Sequence, residues 1–196
     1  MLFLFEIIGT IAFAISGAMS GIQHKMDLFG VTMMGLTTAV GGGMIRDVMI
    51  GKTPPTAFEQ PVYALCALVI SLIVFMPSIR HYMHMESPAF IIMDSIGLGT
   101  FTVCGVIANP VSENIIFSVF LGTLTGVGGG ILRDIFSGSR PYVFVKHFYA
   151  CAAIIGGIVC AVFVPFNKSA AMLAGAIVVI TLRIAAARYR WSLPRC

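Results

Sequence analysis

One stretch occurs twice. Gly35-Leu-Thr-Thr-Ala-Val-Gly41-Gly42-Gly43-Met-Ile-Arg46-Asp47-Val-Met-Ile-Gly51-Lys52-Thr53-Pro54 returns as Gly122-Thr-Leu-Thr-Gly-Val-Gly128-Gly129-Gly130-Ile-Leu-Arg133-Asp134-Ile-Phe-Ser-Gly138-Ser139-Arg140-Pro141. The offset is a constant 87 residues, from Gly41 to Gly128 and from Pro54 to Pro141, without a gap. The sequence before each stretch matches too. Glu6, Gly9, Phe13 and Gly17 line up with Asp94, Gly97, Phe101 and Gly105 at an offset of 88, one residue having been gained or lost between. The chain is therefore duplicated, and any fold has to place two copies.

Composition fixes the medium. Of 196 residues 58% are hydrophobic and 10% are charged, with a mean hydropathy of +0.98. Soluble domains carry about 25% charged residues. So few charges cannot cover a globule, and a soluble enzyme, a disordered chain and a disulfide scaffold are all excluded. Of the five cysteines, Cys66, Cys104, Cys151 and Cys160 lie inside apolar runs as small buried hydrophobes, and Cys196 ends the chain. No spacing suggests a metal site.

A membrane-crossing helix needs roughly 20 apolar residues. Seven stretches qualify: 2–22, 28–50, 61–76, 88–108, 114–137, 148–164 and 170–187, separated by prolines and short polar segments. The expected fold is an all-α integral membrane protein. Seven transmembrane helices form two inverted three-helix repeats plus a seventh helix. The boundaries are 1–87 for the first repeat, 88–168 for the second and 169–196 for the seventh helix with its tail. Three spans per copy is an odd number, so the second copy enters from the opposite side, giving a pseudo-two-fold axis in the membrane plane.

The net charge of +4 reads as topology and not as nucleic-acid binding. Lys25, Arg80, Arg140, Lys146, Arg188, Arg190 and Arg195 fall on one side, while Lys52 and Lys168 fall on the other. The positive-inside rule then puts the C-terminus in the cytoplasm and the N-terminus outside. Arg188, Arg190 and Arg195 around Trp191 suit anionic lipid headgroups. His24, His81, His84 and His147 fall at span edges with no ligand spacing.

Each glycine triplet admits two readings. Three glycines in a row cost a helix about 1 kcal/mol apiece relative to alanine, and Gly41 lies roughly 20 Å into its span, past the middle of a ~30 Å core. One reading is a broken helix whose bared carbonyls meet a cation or polar solute. The other is close helix packing. Three adjacent glycines cover every side of a helix, which one packed face does not need, so the broken helix is the reading taken. Gly41, Gly42, Gly43, Gly128, Gly129 and Gly130 then form an ion pathway. A charge inside a span is costly and points to function, so Arg46, Asp47, Arg133 and Asp134 are expected to guard it. Inverted geometry puts Glu6 level with Arg46 and Asp94 level with Arg133, and each pair is expected to be within reach. Arg183, in the last span, either snorkels to the cytoplasmic face or lines the cavity. Gly97, Gly99, Gly105, Gly156, Gly157 and Gly175 offer small-residue faces for packing between subunits.

The doubled GGGxxRD in the second and fifth of seven spans resembles the prokaryotic trimeric intracellular cation (TRIC) channel family, whose duplicated unit is also described as a glycine-transporter domain. The resemblance covers essentially the whole chain. It implies a homotrimer in the plasma (inner) membrane of a prokaryote, with a pore in each subunit, lined by bent second and fifth helices and permeable to potassium or sodium, with no cofactor. Animal members carry a Lys-Glu-containing motif near the first break, where this chain has Gly-Gly-Gly-Met-Ile-Arg-Asp. The alternative function is a secondary transporter of glycine or a similar small zwitterion, since broken helices in inverted repeats suit carriers equally. No Ser/His/Asp set, HExxH or P-loop suggests an enzyme.

Overall fold

The computed structural model describes residues 1–77, 88–110, 114–145 and 148–191. Arg80, His81, His84, Lys146, His147 and Arg195 lie outside the described residues. Among those described, every element is helical. In chain order these are α1 (Leu2–Gln23), α2 (Leu28–Met49), α3 (Thr56–Glu59), α4 (Val62–Phe75), α5 (Pro88–Ile107), α6 (Ile115–Phe136), α7 (Tyr142–Val145), α8 (Tyr149–Phe163) and α9 (Lys168–Arg188). Five of them, α1, α2, α5, α6 and α9, are long and apolar enough to cross a membrane; α4 and α8 have 14 and 15 residues.

The repeat writes the same local chemistry into both copies. Asp27 caps α2 by accepting from the Gly30 N–H at 2.7 Å, and Asn114, 87 residues on, caps α6 by accepting from the Phe117 N–H at 3.0 Å. Both helices end on a left-handed glycine, Gly51 at φ +71 and Gly138 at φ +69. The Gly51 and Lys52 N–H groups return to the Val48 and Asp47 carbonyls, and those of Gly138 and Ser139 to Ile135 and Asp134. These are paired Schellman caps. The four-residue helices α3 and α7 follow, again at matching positions.

Helices α1, α2 and α4 pack on one another, as do α5, α6 and α8. The triples join through α1 against α5 and α2 against α6, while α9 packs on α5 and α8. Apolar burial does not hold helices together in lipid, so close approach of small residues has to. Contacts across the junction are reciprocal. Phe13 lies against Gly97, and its repeat mate Phe101 lies against Gly9; the two rings meet at 5.4 Å. Within the triples, Gly17 abuts Gly35 and Thr38, and Gly105 abuts Gly122 and Thr125. Reciprocal contact of this kind is the signature of two-fold pairing.

The broken-helix reading of the glycine triplets is corrected here. Both α2 and α6 run unbroken through them. The glycines of each triplet differ in what surrounds them. A methyl at Gly42 would collide with the Thr125 carbonyl oxygen, and one at Gly129 with that of Thr38, so these two sit where the backbones of α2 and α6 cross. Gly41 accepts Leu132 from the other copy, as Gly128 accepts its mate Ile45. Gly43 and Gly130 lie beside the guanidinium groups of Arg46 and Arg133. Two faces of each triplet meet the other copy; the third is open at Gly43 and meets the Tyr149 hydroxyl at Gly130. The expected intersubunit faces are corrected likewise. Gly97, Gly99, Gly105, Gly156, Gly157 and Gly175 are all buried within the chain, Gly156 against Gly175 between α8 and α9.

Two charged clusters at the ends of the repeat junction

The Schellman caps fix where the charges stand. Asp47 closes α2 with its main-chain carbonyl and turns its side chain to the loop, where Oδ2 accepts the Thr56 N–H at 2.6 Å. Its Oδ1 accepts Arg46 Nε at 2.8 Å. Arg46 Nη1 lies 3.7 Å from Glu6 Oε1, and the Tyr63 hydroxyl donates to Glu6 Oε2. Arg46 and Asp47 are buried, while the Glu6 side chain keeps 13% exposure. The group borders a cleft whose walls include Thr10, Gly43 and Phe101. At its rim Lys52 pairs with Glu59 at 2.9 Å.

The second copy repeats this plan. Asp134 Oδ2 accepts the Tyr142 N–H at 2.7 Å, and its Oδ1 accepts Arg133 Nε at 2.9 Å. Arg133 Nη1 donates to Asp94 Oδ1 at 2.6 Å, and the Tyr149 hydroxyl lies 3.4 Å from the same oxygen. Arg133 also reaches Ser16, ten residues or about 15 Å along α1 from Glu6. The two clusters thus occupy opposite ends of the junction. Here Arg133 and Asp94 are fully buried. Arg133 Nη2 meets no hydrogen-bond acceptor among the described residues.

Both expected pairs, Glu6 with Arg46 and Asp94 with Arg133, are therefore in contact. The snorkelling alternative for Arg183 is corrected. It is 1% exposed, its Nη2 lies 3.4 Å from Asp94 Oδ2, and its guanidinium stacks 4.6 Å over the Tyr149 ring. Sequence reasoning missed Tyr63 and Tyr149, which stand 86 residues apart, one short of the repeat's offset of 87, each held to its copy's acid. Of the six triplet glycines only Gly43 borders the cleft. Among the described residues no group of three or more His, Cys, Asp or Glu could hold a metal.

Two like helical triples in lipid, joined through glycines and bearing charge at both ends of the joint, define a multi-pass membrane protein of duplicated design. The family described as "Glycine transporter" matches the chain at residues 3–78 and 91–165, once per copy, and the chain belongs to this family of TRIC-like membrane proteins. It is 35% identical over 195 residues to the UPF0126 inner membrane protein YadS of Escherichia coli K12, covering 96% of this chain and 93% of that one. Among solved structures, a TRIC cation channel superposes with a TM-score of 0.88 at 38% identity, covering 98% of this chain and 96% of that one. A prokaryotic TRIC channel in 0.5 M KCl gives 0.90 at 31% identity, with 98% of each chain covered. These neighbours are channels and not enzymes.

Proposed function

We propose that the chain is a potassium-permeable monovalent cation channel of the inner membrane, assembled as a homotrimer. A conduit follows the α2–α6 junction within each subunit. Seven helices, α1, α2, α4, α5, α6, α8 and α9, cross the bilayer. The triples are inverted copies, with the N-terminus outside, the C-terminus cytoplasmic, and the basic C-terminal end near anionic lipid. The carrying observation is the charged cluster at each end of that junction, one of them bordering a cleft. Carboxylates Glu6 and Asp47 concentrate cations at that mouth. The Phe13–Phe101 pair and the Gly42–Gly129 crossing form the seal, so the structure corresponds to a closed state. The similarity to cation channels supports the same reading.

The experiment is potassium flux from vesicles holding purified protein. Selective flux with unitary currents is expected, and it should fall when Glu6→Gln removes the charge at the cleft. A second reading rests on one observation: the cleft offers a guanidinium and carboxylates together, which suits a zwitterion such as glycine. Saturable, ion-coupled glycine uptake without unitary currents would decide for that carrier.

A further inference from the structure

The two clusters are copies, yet Glu6 is partly exposed beside a cleft and Asp94 is wholly buried. The residue that separates them is Arg183. It stands on α9, outside the repeat, and nothing in the first copy corresponds to it. We propose that Arg183 is the positioning residue that keeps the Asp94 end of the conduit dry and shut. This rests on the channel reading above.

The argument is one of charge. The Glu6 end holds two carboxylates, Glu6 and Asp47, against one guanidinium, Arg46; the adjoining Lys52–Glu59 pair is balanced. An unbalanced buried charge costs several kcal/mol to dehydrate, so that end retains water. The Asp94 end has the same two acids and one arginine from its repeat, and Arg183 supplies the missing cation. Among the described residues two acids then face two guanidinium groups, and a balanced set can be stripped of water. Geometry adds to this. Arg133 and Tyr149 both engage Asp94 Oδ1, leaving Oδ2 to Arg183, and the Tyr149 ring beneath Arg183 holds its guanidinium in place. Parting Arg183 from Asp94 bares Oδ2 and gives this end the negative excess of the other, which admits water and cations.

The test compares potassium flux and unitary currents for wild type, Arg183→Met, Arg183→Lys and the double variant Arg183→Met with Asp94→Asn. Arg183→Met should raise open probability about tenfold, as when a minor open state becomes dominant, with unitary conductance unchanged. The double variant restores the balance between Arg133 and Asp134 and should return to wild-type flux. Arg183→Lys keeps the charge and should stay closed. A folded Arg183→Met no more active than wild type overturns the proposal, as does a double variant as active as the single one. Should Arg183→Met not assemble, an Arg183→Lys of raised flux overturns it and one of wild-type flux upholds it. Wild-type vesicles that pass no potassium overturn the channel reading instead, which separates the two failures.

Discussion

At the scale of single residues, neighbouring glycines of one triplet have opposite sensitivities. Gly42→Ala drives a methyl into the Thr125 carbonyl, a backbone atom that cannot swing aside. The expected cost is about 1–3 kcal/mol. Gly43→Ala meets only Arg46 Nη2, at 3.9 Å, and should be neutral or gain up to about 1 kcal/mol of helix propensity. Thermal unfolding of the two variants in detergent checks the contrast, and equal shifts would contradict the crossing geometry. The triplets were legible as special but not as packing. Sequence shows that three faces are free of side chains, but only coordinates show that Thr125 or Thr38 and Leu132 or Ile45 arrive on two of them, and that the third meets Tyr149 in the second copy alone. The pairings Glu6–Arg46 and Asp94–Arg133 were legible because the expected inversion of the copies puts each pair at one level. The tyrosines were not singled out, since tyrosine in an apolar run reads as core until its hydroxyl has a partner.

At the scale of elements, α2 and α6 are matched at both ends by caps of one pattern, with Asp27 against Asn114, Ile50 against Ser137 and Lys52 against Ser139. Asn114→Ala should cost about 1 kcal/mol by freeing the Phe117 N–H. Gly138→Ala should cost a similar amount by forcing a side chain at φ +69. Melting of each variant and of the two combined measures both, and a combined shift that falls short of the sum would mean the caps act as one unit. The long helices were legible to within a few residues from apolar length and breakers. The short helices α3 and α7 were not, because four residues after a proline are too few to show any period.

At the scale of the whole molecule, the two halves share a plan and differ by α9. That difference was legible only as a leftover span, since sequence shows no reason for an arginine at position 183 to turn inward. The proposed orientation has a direct check. A C-terminal reporter active only in the cytoplasm should be active, and the same reporter at the N-terminus should be silent. The reverse result would invert the topology while leaving the intramolecular contacts as they stand.

The hydrogen bonds from Thr56 to Asp47 and from Tyr142 to Asp134 tie the short helices to the charged ends. Those helices present Phe58 and Phe144, repeat mates with 69% and 77% exposure, which suit the headgroup layer. In the proposed topology each mouth is then fastened to one leaflet through a ring at its surface. Thinning the bilayer draws the two leaflets together and loads both fastenings at once. Flux should therefore vary between vesicles of short-chain and long-chain lipid, and Phe58→Ser with Phe144→Ser should flatten that dependence.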